Sequence, residues 1–261
     1  MNSVEESVLA SMDGTEKDLF PFLPYIFQDV WELGASPEVM IELIQKHFHD
    51  YSKLKLIDLV CGKGAVSIKI AKRFKCSCFG IDAVKEFIEE AKNRANDYNV
   101  GHLCNFEQGD IRARITELTG YDLVLLGAIG DVFGNYFSTL KKISNCIKPS
   151  GKIIIDDAYV EDNSNSFNAD FELRSSITMQ ANKAGMILVD EIVADKSEVK
   201  KTEDYIFQKL KFRCEELVEK YPQKRNLFLN YVKNQAEEGE VLKKNVTCST
   251  MLFGIKPIRT K

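Results

Sequence analysis

From residue 54 onward, short apolar runs alternate with amphipathic helical stretches, and this rhythm constrains the fold more than any other feature of the chain. Leu54–Val60 (LKLIDLV) reads as a strand and Ala65–Phe74 as a helix. Cys76–Ile81 is the next strand and Val84–Asp97 the next helix, with Phe87, Ile88 and Ala91 on one face. Leu103–Glu107, Tyr121–Leu126 and Gly151–Asp156 follow as strands, with a helix over about Asn135–Cys146 ended by Lys148-Pro149-Ser150-Gly151. Such alternation is the mark of a doubly wound α/β sheet built largely from parallel strands. Glu172–Ala184 is a further helix ending at Gly185, Met186–Val193 a sixth strand and Val246–Ile255 a seventh. The highly charged segment from Ser197 to Lys244, helical in period, interrupts the sheet before that last strand.

The first 50 residues differ: Phe20, Phe22, Tyr25, Phe27 and Trp31 crowd a stretch broken by Pro21 and Pro24. Ser36-Pro37 then reads as an N-cap with proline at the first helical position, opening a helix to about His49. The expected organisation is therefore an N-terminal helical cap over 1–50 and a sheet domain over 51–261 with a helical insertion at about 197–244.

Composition narrows the function. Lys and Arg number 35 against 39 Asp and Glu, so the net charge is −4 and no basic tract offers a footprint for nucleic acid. No apolar run reaches the roughly 18 residues of a membrane helix, and the acidic start is not a basic leader. The seven cysteines are an odd set without framework spacing, which predicts a reduced, cytoplasmic chain. With only His47, His49 and His102 to join them, no metal site is expected.

In an open α/β sheet, ligands bind beyond the carboxyl ends of the strands. The first strand ends in Asp58-Leu59-Val60-Cys61-Gly62-Lys63-Gly64 and runs into a helix. Glycines there let a ligand approach the backbone, and the helix start offers unpaired N–H groups. The second strand ends in Asp82, 20 positions after Gly62, where a carboxylate can accept both hydroxyls of a ribose. Asp82 equally suits a cap for the following helix, and the two roles are compatible. After the third strand, Asp110 suits an adenine amino group and Ile111 the ring face, with a helix cap again the alternative for Asp110. Three acids ending three successive strands favour a nucleoside-containing ligand.

On these residues the chain resembles the class I, Rossmann-like S-adenosylmethionine-dependent methyltransferases, strongly over about residues 50–160 and by architecture elsewhere. Asp58, Gly62 and Gly64 match the family's acid and its second and third loop glycines, while Val60 stands where the first glycine is usual. The resemblance implies a seven-stranded sheet with the last strand antiparallel and S-adenosyl-L-methionine as cofactor. It implies that Asp82, with Ala83 beside it, takes the ribose, that Asp110 and Ile111 take the adenine, and that Leu126–Ile129, including Gly127 and Ala128, lines the methionine side. Leu126-Gly127-Ala128 and Asp204-Tyr205 are similar to a subgroup of small-molecule type. Around the mouth, Asp131, Asp157, Tyr159 and Tyr205 are candidates for touching substrate, and Tyr25 and Trp31 for a lid.

The rival dinucleotide fingerprint needs a third glycine where Gly62-Lys63-Gly64-Ala65-Val66-Ser67 has serine, which disfavours an NAD-dependent oxidoreductase. No Asn-Pro-Pro-Tyr-like tetrapeptide follows the fourth strand, so base methylation is not indicated. The expected activity is methyl transfer to a small-molecule acceptor. The alternative is a module of the same fold that binds the cofactor without turnover, kept open by Val60.

Overall fold

The apolar runs become strands. In the computed structural model, which describes residues 3–127, 132–164 and 171–257, they join in one seven-stranded sheet. The strands are β1 (Lys55–Leu59), β2 (Ser77–Asp82), β3 (Cys104–Gln108), β4 (Tyr121–Gly127), β5 (Ile147–Tyr159), β6 (Met186–Val193) and β7 (Thr247–Ile255). Their order is β3-β2-β1-β4-β5-β7-β6. The first five pair in parallel, and β7 runs antiparallel to both β5 and β6. The fold is the expected doubly wound sheet. Strand order reverses between β1 and β4, which opens a crevice beyond their carboxyl ends.

The helices among the described residues are α1 (Val4–Ala10), α2 (Leu23–Ile26), α3 (Pro37–His47), α4 (Ala65–Phe74), α5 (Lys85–Asp97), α6 (Ile111–Arg114), α7 (Tyr136–Ile143), α8 (Arg174–Lys183), α9 (Lys196–Lys220) and α10 (Arg225–Lys244). Because successive strand residues face opposite sides, each strand feeds two cores. Leu56, Leu123 and Leu125 meet Leu43, Ile44, Ile68 and Ile88 of α3, α4 and α5. Ile57, Val124 and Leu126 meet Ile111, Leu140, Ile143 and Ile177 on the other face. α3 thus belongs to the sheet's own packing, and its His47 pairs with Asp190 of β6 at 2.7 Å. A third cluster joins the N-terminus to the insertion: Leu19, Leu23, Ile26 and Phe27 interlock with Leu210, Leu217, Phe228 and Tyr231. Phe22 stands edge-on to Phe228 at 5.0 Å between centroids.

Some boundaries differ from expectation. α3 ends at His47 because Phe48 already has extended backbone, φ −129° and ψ 160°. α7 ends at Ile143, and α8 begins at Arg174 rather than Glu172. β5 extends well beyond Gly151–Asp156 at both ends. Ile147 pairs with Tyr121 across an irregularity in register, and residues up to Tyr159 pair with β7. A proline-containing tetrapeptide that reads as a stop is absorbed here at an irregular strand start, as such residues can be.

Phe228 of α10 is fully buried in the cluster it shares with the N-terminal segment and α9. Phe228→Ala is expected to cost about 3–5 kcal/mol, read as a lowered midpoint in urea. An unchanged midpoint would show that this helical layer does not share the sheet's cooperative unit.

Candidate functional site

The β1–α4 turn takes its shape from three left-handed residues: Val60 (φ 63°), Gly62 (φ 52°) and Gly64 (φ 73°). A Cβ on Gly64 would come within 2.8 Å of the Phe106 ring, and one on Gly62 within 2.9 Å of Leu33 Cδ1. Both glycines are therefore required by backbone conformation and by protein packing. Val60 has no such freedom, and a β-branched side chain at positive φ is strained.

Below the turn, Asp58 is 5% exposed and accepts the Ser67 hydroxyl at 2.7 Å. Asp82, 4% exposed, accepts Gly62 N–H at 2.8 Å and Val84 N–H at 2.9 Å. It thus ties the end of β2 both to the glycine turn and to the start of α5. Burial pushes both carboxyls up to about 6, against these hydrogen bonds, and the charge of Asp82 adds to the rise at Asp58. Asp110 caps α6, accepting Arg112 N–H at 2.9 Å. The Arg112 guanidinium grips both its oxygens and holds the carboxyl below its usual range.

A cleft of about 480 Å³, open solvent included, lies here. Its sheet side is formed by Val60, Asp82, Ala83, Asp110 and Ile111, so the structure brings together five residues chosen from sequence. Its other side is α1, through Ser7 and Val8, and the turn after it, through Ser11 and Met12. Arg112 Nη1 donates to Ser7 Oγ at 2.8 Å, joining α1 to the Asp110 end. Sequence reasoning expected an N-terminal helical cap but singled out neither the residues of α1 nor Arg112. The one available signal was the capping box: Ser3 and Glu6 each accept the other's backbone N–H, fixing the helix start.

The remaining candidates are dispersed. Gly127 ends β4, where a Cβ would come within 2.6 Å of Ala35 Cβ. Ala128 and Asp131 lie outside the described residues. Asp157 accepts the Tyr136 hydroxyl at 2.8 Å, and the adjacent Asp156 is pushed up to about 7 by burial. Tyr159 does not reach the mouth. Because β5 continues to it, its ring falls in the sheet's core, 1% exposed. Trp31 does not cover the cavity either: its indole stacks near Tyr98 at 5.0 Å and donates to the Lys63 carbonyl at 3.1 Å. Tyr25 and Tyr205 bind helices together, their hydroxyls donating to Glu216 at 2.8 Å and to the Asp29 carbonyl at 3.4 Å.

Comparison with known proteins adds the family. A model described as a methyltransferase domain matches residues 50–247, which is most of the chain. The chain belongs to the methyltransferase-domain family. It is 30% identical over 118 residues to the ubiquinone biosynthesis O-methyltransferase of Rickettsia felis, covering 45% of this chain and 47% of that one. The chain spans between about a third and a half of the length of the curated relatives it matches. Among solved structures, a SAM-dependent methyltransferase from Thiobacillus denitrificans in complex with S-adenosyl-L-homocysteine matches at TM-score 0.73 and 14% identity, over 90% of this chain and 98% of that chain. A coclaurine N-methyltransferase bound to N-methylheliamine and S-adenosylhomocysteine matches at TM-score 0.61 and 18% identity, over 84% and 70%. At these identities the structural likenesses establish the fold. Among the described residues no helix is long and apolar enough to cross a membrane.

The strain at Val60 reverses an ordinary preference. Alanine normally exceeds glycine in stability, yet at positive φ a Cβ costs about 1–2 kcal/mol. Val60→Gly is expected to be more stable than Val60→Ala by about 1 kcal/mol in chemical denaturation. The opposite order would mean that Val60 bears no strain.

Proposed function

We propose that this methyltransferase-family chain binds S-adenosyl-L-methionine in the cavity beside Asp82 and transfers its methyl group to a small-molecule acceptor. The observation that carries this reading is the buried Asp82 carboxylate, at the end of β2 and opening onto the cavity. Each of its oxygens accepts one backbone N–H and keeps acceptor capacity for a hydroxyl, which suits the two hydroxyls of a ribose. Val60, Val84 and Ile111 offer apolar walls for a purine, and Asp110 offers an acceptor to its amino group. These residues fit the group. Gly62, Gly64 and Gly127, followed by Ala128, belong to the methionine end in this reading.

Bound there, the cofactor supplies an electrophilic methyl on a sulfonium that leaves as a neutral thioether. The task of the chain is then to orient the acceptor and exclude water. Asp157, fixed by Tyr136, is placed to orient an acceptor hydroxyl or amine at the carboxyl end of β5. Asp156, pushed up to about 7, suits a group that takes a proton near neutrality. The similar proteins include an O- and an N-methyltransferase, and one is bound to a small molecule, N-methylheliamine, which supports a small acceptor. The acidic net charge supports it too. Val60 favours the second reading, binding without turnover, because its side chain occupies the wall where the family has glycine.

Ribose hydroxyls donate to the ionised form of Asp82, whose carboxyl is held at about 6. Affinity for S-adenosylhomocysteine by calorimetry is therefore expected to fall as pH drops through about 6, and to level off above 7. Asp82→Asn is expected to weaken binding about 10- to 100-fold and to flatten this pH profile. Binding of NAD but neither adenosyl ligand would overturn the reading. Formation of S-adenosylhomocysteine on screening amines, hydroxyls and thiols separates the enzyme from the silent binder.

A further inference from the structure

Lys63 lies between the two glycines of the β1–α4 turn, and its ammonium group is buried, the residue being 1% exposed. It donates to the Phe27 carbonyl at 2.6 Å, pairs with Glu90 of α5 at 2.9 Å, and stands 5.7 Å from the centroid of the Phe87 ring. Burial depresses its proton affinity, and Glu90 opposes this. The backbone carbonyl of the same residue accepts the Trp31 indole N–H. An ion pair this buried adds little stability over a hydrocarbon of equal shape, so what it contributes here is position.

What it positions is the chain from Phe27 to Ser36, which lacks helix or strand and crosses the carboxyl ends of β1, β4 and β5. Phe27 and Trp31 rest on Lys63, and Leu33 lies against Gly62. Ala35 lies against Gly127, and Ser36 N–H donates to Asp156 Oδ2 at 3.2 Å. From outside, Arg213 of α9 grips Asp29 through two contacts of 2.7 and 2.9 Å. Gly62 of the glycine turn, Gly127 at the end of β4 and Asp156 near the end of β5 therefore all touch this one segment.

We infer that residues 27–36 form a strap over the methionine end of the cofactor site, and that Lys63 is the positioning residue latching it to the glycine turn. What the strap covers rests on the donor-binding reading above; the latch itself does not. Ligand release requires the strap to lift, so Lys63 governs the dissociation rate and shields the reacting centre from water.

Trp31 is the sole tryptophan, so its fluorescence reports on the strap directly. The full chain and Lys63→Met, which keeps an unbranched stem but loses the N–H donors, are compared by acrylamide quenching with and without S-adenosylhomocysteine. Without ligand, Trp31 in Lys63→Met is expected to be quenched severalfold more strongly than in the unaltered chain. The ligand is expected to protect Trp31 in the unaltered chain, and its release by stopped flow to be about tenfold faster from Lys63→Met, with association little changed. Equal quenching of the two unliganded proteins overturns the latch. Binding without protection of Trp31, or equal release rates, overturns the strap as a cover. If the unaltered chain binds no adenosyl ligand while Lys63→Met still exposes Trp31, the donor reading fails and the latch is supported. Should Lys63→Met not fold, Glu90→Gln, which removes the charge partner and keeps an acceptor, is read in the same way, and unchanged quenching there overturns the latch.

Discussion

Much of the site depends on one buried carboxylate. Asp82 ends β2, and its oxygens fix Gly62 N–H on one side and Val84 N–H on the other. A carboxylate with almost no solvent is costly unless its oxygens are occupied, and donors from two different segments meet that need. In doing so they fix the separation of the glycine turn from the start of α5. The left-handed backbone at Val60, Gly62 and Gly64 is held between this anchor and the Phe106 ring. The same oxygens border the cavity, so the group that organises the turn is the group a ribose would meet.

The N-terminal segment and the α9–α10 pair make a third layer at the carboxyl edge of the sheet. Neither has enough apolar surface to stand alone. Leu23, Ile26 and Phe27 share one buried cluster with Leu210, Leu217 and Phe228, from the far end of the chain. Charged side chains on α9 then fasten this layer to the segment after α2, as Arg213 does at Asp29. A site closed this way can open by local release of a small cluster while the sheet stays intact.

The sheet was largely legible in the sequence, because strand and helix periods are local signals. Ala65–Phe74 and Met186–Val193 read to the residue, the first set off by the glycine turn and the second by Gly185 before it. The acids at strand ends were legible for the same reason, since Asp58, Asp82 and Asp110 lie within two residues of the ends of three successive strands. Long-range placements were not. Nothing around Val4–Ala10 says that this short helix lies over Asp110, since its docking depends on Arg112 meeting Ser7 across 105 positions. Tyr159 looked like a mouth residue because the run Gly151–Asp156 suggested where β5 stops. Pairing with β7 carried the strand on to Tyr159 and turned the ring into the core. Lys63 carries no role in the sequence reading, and only the fold shows its amine buried on Phe27 and Glu90.

Val60 and Lys63 sit three positions apart in one turn and act on it in opposite senses. Val60 adds strain at the cavity wall, where a glycine would relax. Lys63 adds contacts that hold the turn against α5 and the strap. A strained turn persists only where its surroundings over-determine it. Here the surroundings are Asp82, Glu90 and the Phe27 carbonyl, none of them adjacent in sequence to the strained residue. Loosening the latch therefore acts on the shape of the cavity wall as well as on its cover. A glycine at position 60 would relieve the strain that the latch and the Asp82 anchor otherwise contain, which makes the wall, the cover and the buried carboxylate one mechanical unit.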